Sequence, residues 1–175
     1  MTSGGSNPPE VRIAMEALYP VFFTYEEVVK GNRFLACVQA RGRALMVNED
    51  GEWTMYGVQP GSFAESGETF EEARLLFRQT FREILYDLAE DYPDFQSFKA
   101  ETERILGEVN DPMRERWDSA VERIRADRAS MEEPIKSLPV VQAQETTAEF
   151  RVLQLVPANT SANNRIDKYE LVRAA

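Results

Sequence analysis

The chain has 175 residues, 43% of them hydrophobic, and a formal net charge of −10, which suits one compact domain with appendages. It has no histidine and one cysteine, which excludes an internal disulfide, the commonest zinc ligand and any Ser-His-Asp triad. No apolar run approaches the roughly 18–20 residues needed to cross a bilayer, and an acidic chain is a poor direct ligand for nucleic acid, whose phosphates need a positive surface.

Residues 1–17 read as a flexible leader with a short amphipathic piece, EVRIAMEAL. The opening MTSGGSNPPE lacks the basic patch and apolar stretch of a secretory signal, so a cytoplasmic location is expected. Strand signals follow. YPVFFTYEEVV is aromatic and β-branched and ends at the turn Lys30-Gly31-Asn32. RFLACVQARGRALMV is a long second strand, interrupted at Arg41-Gly42-Arg43, where a glycine marks a bulge or bend. Asp50-Gly51 is a two-residue hairpin turn, WTMYGV a third strand, Pro60-Gly61 another turn, and SFAES a short fourth strand closed by Gly67.

Thr69 followed by Glu72 is a capping box that opens a helix. Phe70, Ala73, Phe77, Phe81, Ile84, Leu85 and Leu88 recur at helical spacing and predict a face that covers the sheet. After Pro93, Asp94 caps a second helix. Asp111-Pro112 opens a third, with Met113, Trp117, Val121 and Ile124 as its stripe. The short join between these two helices predicts a helical hairpin. Near residue 130 the periodicity fades into a proline-containing extended arm, in which FRVLQLVP can add as a late strand. The expected fold is therefore α+β: an antiparallel sheet of three or four strands packed by one long helix, then a helical hairpin and an extended tail. The expected units are a leader at 1–17, a core at 18–92, an acidic hairpin at 93–129 and an arm at 130–175.

Residues 65–133 carry 19 acids against 10 bases, so the acidity sits on the helices. Glu26-Glu27 and Glu71-Glu72 are paired carboxylates, but carboxylates are so common here that a solvated face explains them. Glu101, Glu108 and Asp111 match no metal-loop spacing. Ser62 in QPGSFAESG lacks the nucleophile-elbow pattern, and Cys37 among Phe34, Leu35 and Val38 reads as a small buried strand residue. No catalytic residue, cofactor or metal is expected. The residues singled out are determinants of the fold: Asp50, Gly51, Pro60, Gly61, Gly67, Thr69 and Glu72.

The stretch DGEWTMYGVQPGSFAESGETFEEA, with Asp50-Gly51, Pro60-Gly61, Gly67, Thr69, Glu71, Glu72 and Ala73 in that order, resembles the HicB-like antitoxin family over roughly residues 20–90. The resemblance implies a partial ribonuclease-H-like β-β-β-α core and neutralisation of a small RNA-cleaving toxin of the HicA type. Residues 94–175 do not read as that family's usual DNA-binding segment, and a recognition helix would be basic where these are acidic.

The leading expectation is thus a non-enzymatic protein-binding module that occludes a basic partner, with self-association through unpaired sheet edges. The rivals are a free-standing oligomeric adaptor of the same fold and an enzyme using carboxylates and a metal. If the corner around residues 60–67 is structural, Gly67→Val and Pro60→Asp should each lower the thermal unfolding midpoint. Unchanged midpoints in both variants would show the corner to be misplaced.

Overall fold

Strands β1 (Glu16–Lys30) and β2 (Leu35–Glu49) are each 15 residues long and pair antiparallel from end to end. That length is about 50 Å at ~3.3 Å per residue, well beyond the usual strand. The computed structural model describes residues 16–126, 131 and 133–156. The strand therefore begins two residues inside the segment expected as leader; the EVRIAMEAL piece falls mostly outside the described residues.

The other flank of β2 is shared. Its second half pairs with β3 (Glu52–Gln59), and its first half pairs with β5 (Glu149–Leu155). β4 (Ala64–Gly67) closes the far side of β3. All five strands form one antiparallel sheet, and the late strand in the arm belongs to it. The α+β class and the helix-backed antiparallel sheet are as the residues indicate.

The register explains the glycine in β2. Arg43 pairs with Gln59 but Ala44 pairs with Gly57, so Val58 is an extra residue in β3 and the bulge lies beside Gly42. A Cβ on Gly42 would stand 2.5 Å from the Phe23 ring and 2.6 Å from the Gln59 carbonyl oxygen. Only a bare backbone lets β1 and β3 approach β2 there. The β2–β3 hairpin turns on Asp50 (φ 52°) and Gly51 (φ 94°), both left-handed, as a two-residue primed turn requires.

Helix α1 (Phe70–Asp91) lies across one face. The Thr69 hydroxyl accepts from the Glu72 backbone N–H at 3.1 Å, and the Glu72 carboxylate accepts from the Glu68 N–H at 2.8 Å. The reciprocal bond of the cap thus reaches one residue further back than the usual box. Beneath α1, β2 presents Ala36, Ala40 and Ala44, all buried. Their small size leaves room for aromatic rings to meet over the strand: Phe23 against Phe77, Tyr25 against Phe81, and Phe63 against both Phe77 and Phe81. Each buried ring contributes about 1.5–3 kcal/mol, whereas the exposed ion pairs of the surface contribute about 0–1 kcal/mol each. The core dominates.

Helices α2 (Phe95–Gly107) and α3 (Asp111–Ala126) follow through a join of residues 108–110, short as in a hairpin, yet they divide between the two faces of the sheet. Phe98 and Leu106 of α2 join the core under α1. Trp117 and Ala120 of α3 pack on Leu45, Val47 and Val58, which point from the opposite face. The crossing is clamped at the Pro60-Gly61 corner. The Gly61 N–H donates to the Glu108 carbonyl at 2.9 Å, and the Asn110 N–H donates to the Val58 carbonyl at 3.0 Å. A Cβ on Gly61 would lie 2.4 Å from the Asn110 nitrogen, so this glycine is required by close approach. Gly67 is required likewise, since its Cβ would lie 2.7 Å from the Ala73 nitrogen in the first turn of α1.

The Glu108 side chain accepts from the Ser62 hydroxyl and pairs with Arg104, tying the end of α2 to the same corner. The Ser62 bond first, and Arg104 after it, hold the Glu108 carboxyl below the ordinary carboxylate range. A depressed carboxylate contributes stability above its unfolded pKa, about 4.3, and that contribution is lost as pH falls through the folded value. Glu108→Gln should therefore flatten the acid side of the stability curve below about pH 4.5 while leaving the neutral-to-alkaline side unchanged in shape. Identical acid slopes in chemical denaturation would refute the clamp.

Candidate interaction surface

The carboxylates that could have formed a catalytic or metal centre are dispersed. Glu26 accepts from the Gln39 amide at 2.7 Å, and Glu27 accepts from the Tyr25 hydroxyl at 3.2 Å and faces Arg82 at 3.8 Å. Glu71 pairs with Arg74, Glu101 and Glu108 share Arg104, and Asp111 pairs with Arg114. Glu72 serves the helix cap. Among the described residues no group of three or more metal-ligating side chains converges. Of the residues singled out in the sequence, Asp50, Gly51, Pro60 and Gly61 lie in two turns, Gly67 ends β4, and Thr69 and Glu72 cap α1; Gly51, Gly67 and Glu72 line one open cleft of about 470 Å³ with Glu52, Ser66 and Glu68.

Two surfaces stand out instead. The first is the far end of α1. Glu83, Asp87, Glu90 and Asp91 are exposed, and none forms an ion pair within 4.0 Å among the described residues. The last turn holds no base. This is the negative end of the helix dipole, where cations stabilise and anions do not. Asp94 adds a fifth exposed carboxylate at the cap of α2, its pKa lowered by the Ser97 backbone N–H and hydroxyl. The end of α1 sits beside the second half of β1, where the Tyr86 hydroxyl donates to the Val28 carbonyl at 3.4 Å.

The second surface is half of a sheet face. α3 covers Leu45 and Val47 in the second half of β2. Residues of the first half that point the same way lie under no described helix. Their rows follow from register and alternation. Val28, Cys37 and Leu153 stand side by side across β1, β2 and β5, and Lys30, Leu35 and Leu155 form the next row. Their alternates Val29, Ala36, Val38 and Val152 are buried in the core on the other side. Val28 is 47% exposed and Leu153 48%. The composition of the single strands hid this patch, because it requires β5 beside β2; the alternation in FRVLQLVP was the available signal.

A cleft of about 550 Å³ also runs between α3 and residues 143–144, lined by Arg43, Trp117, Asp118 and Glu122 among others. Arg43 stacks on the Trp117 ring at 5.0 Å and donates from Nε to the Thr146 carbonyl at 2.5 Å. The stacked arginine pins the arm to α3 and so delivers β5 to the sheet.

Comparison of the chain with models of known families, with characterised proteins and with solved structures returned no match.

Cys37 is buried and free. Burial, and secondarily Glu26, pushes its thiol pKa up, so the nucleophilic thiolate is scarce. A disulfide reagent at pH 8 should modify the folded chain at least about tenfold more slowly than the urea-unfolded chain. Equal rates would show the thiol to be open.

Proposed function

We propose that the chain is a non-enzymatic protein-binding module of antitoxin type, whose acidic flank covers the basic RNA-binding face of a small RNA-cleaving toxin. The observation that carries this reading is the end of α1: exposed carboxylates that form no ion pair among the described residues, the last two of them in the turn where the helix's own field opposes them. Such an arrangement costs stability in the free chain and is relieved by a positive partner. A protein that cleaves RNA needs a positive face to hold phosphates, and a dense negative surface competes for that face and speeds encounter. The resemblance of residues 20–90 to HicB-like antitoxins points the same way. A second reading, an oligomeric adaptor without a toxin, draws on the apolar half-face of the sheet.

The test is co-expression with the product of a short, basic reading frame beside this gene. The expected result is a salt-sensitive complex in which RNA cleavage by the basic protein is suppressed at equimolar ratio. Joint reversal of Asp87, Glu90 and Asp91 to lysine should weaken the complex at least about a hundredfold, given about 1.4 kcal/mol per tenfold and three charges. The same reversal should leave thermal stability equal or higher, since it removes like charges from the wrong end of a helix. A partner nuclease that stays active in excess chain would eliminate the antitoxin reading.

A further inference from the structure

We infer that β5 and the arm before it, residues 133–155, form a latch that opens as one unit from an otherwise intact fold, with Arg43 as its tether. The hydrogen bonds of the arm are mostly its own. The Ser137 and Leu138 N–H groups donate to the Pro134 and Ile135 carbonyls, and those of Glu145 and Thr146 donate to Gln142 and Ala143. The Ser137 and Thr146 hydroxyls turn back to the Pro134 and Ala143 carbonyls. Among the described residues, the single hydrogen bond from residues 133–148 to another element is the one that the Thr146 carbonyl accepts from Arg43 Nε at 2.5 Å.

The apolar hold of this segment is small. Ile135 and Val152 are buried, and Leu138 and Phe150 are half-buried against the same core. Within β5 only Val152 is buried; its other residues are exposed or half-buried. The elements around it have anchors of their own. β1 pairs with β2 over 15 residues. α2 holds the core through Phe98, whose ring lies 5.0 Å from that of Phe34, and through Leu106, and its end is bonded to the Pro60-Gly61 corner. A segment with few buried apolar groups, bonded along one flank, opens at a lower free energy than the core it borders.

Arg43 stands where β2 passes from one neighbour to the other. Arg41 pairs with Glu149 of β5, and Arg43 pairs with Gln59 of β3. Its guanidinium stacks on Trp117 at 5.0 Å, and Trp117 is packed on Leu45, Val47 and Val58. The tether is thus fixed on the β3 side of the sheet and holds the arm against it. Departure of β5 bares the N–H and C=O groups of β2 from Leu35 to Arg41, the kind of flank to which extended segments add. The latch governs when that flank is free.

Alternation along β2 separates the two neighbours. Glu49 and Glu52 flank a two-residue turn and so form a hydrogen-bonded pair. β2 runs against β1 without a bulge, so from Glu49 backwards its odd-numbered N–H groups point to β3 and then β5, and its even-numbered ones point to β1. The amides of Cys37 and Gln39 therefore report on β5, and those of Val38 and Ala40 report on β1.

Amide hydrogen exchange of the full chain, resolved by residue in increasing sub-denaturing urea, tests the inference. Relative to their intrinsic rates, Cys37 and Gln39 should exchange at least about tenfold faster than Val38 and Ala40. Their exchange should also depend less steeply on urea, because opening the latch exposes less surface than global unfolding. Arg43→Ala should speed Cys37 and Gln39 about a further tenfold, the scale of one hydrogen bond from a charged donor, and should shift Val38 and Ala40 far less. The Cys37 thiol, whose neighbour across the register is Leu153, should react with a disulfide reagent faster by the same factor. Equal protection and equal urea dependence at all four amides of the wild type overturn the latch, and that result requires no variant. An Arg43→Ala chain in which Cys37 and Gln39 are unchanged, in which all four amides speed equally, or in which the thiol rate does not follow overturns the tether.

Discussion

One strand organises the molecule. β2 is bonded along its whole length to β1 on one flank, and on the other flank to β3 over its second half and β5 over its first. Two different partners can share that flank only if the first leaves before the second arrives. The extra residue Val58 and the bare backbone at Gly42 mark the point where β3 departs. Everything later in the chain depends on that handover. α2 has a place to pack because β5 extends the sheet beyond β3, and α3 is led to the opposite face by the corner that follows the bulge.

The same handover divides the two faces unequally. Under α1 and α2 the aromatic rings of β1, of Phe34 in the turn after it, and of α1 and α2 meet over a floor of alanines. On the other side α3 is only long enough to cover the half bonded to β3. The half bonded to β5 is left with the row Val28, Cys37 and Leu153 under no described helix. Acid accumulates at the far end of α1, on the covered side. The protein thus offers two surfaces of different physics, one electrostatic and one apolar, separated by the thickness of the sheet. The two surfaces share no residues.

Elements whose cause is local are legible in the amino acids. The Thr69 cap, the Asp50-Gly51 turn and the stripe Phe70–Leu88 each depend on residues within a few positions of one another, and each element is where its residues place it. Glu26, Glu27 and Glu71 meet exposed or half-buried polar groups, whereas Glu72 closes the helix cap on the Glu68 N–H. Gly61 and Gly67 were legible as turn residues, but the reason for them was not. Neither has a positive φ; each is hemmed by backbone from another element, Asn110 in one case and Ala73 in the other.

What the amino acids alone determined is the set of elements: the antiparallel strands, the capped helix on them and the acidity of the helical segments, all consequences of periodicity, turn chemistry and charge along the chain. What only the tertiary structure decided is which element meets which. Whether the short join of residues 108–110 holds α2 and α3 together or sends them to opposite faces is set by hydrogen bonds to Val58 and Gly61, some 50 positions earlier. Whether FRVLQLVP is an arm or a fifth strand is set by the free flank of β2. These are pairings across long loops, whose partners compete on nearly equal local terms, and packing around the bulge chooses among them.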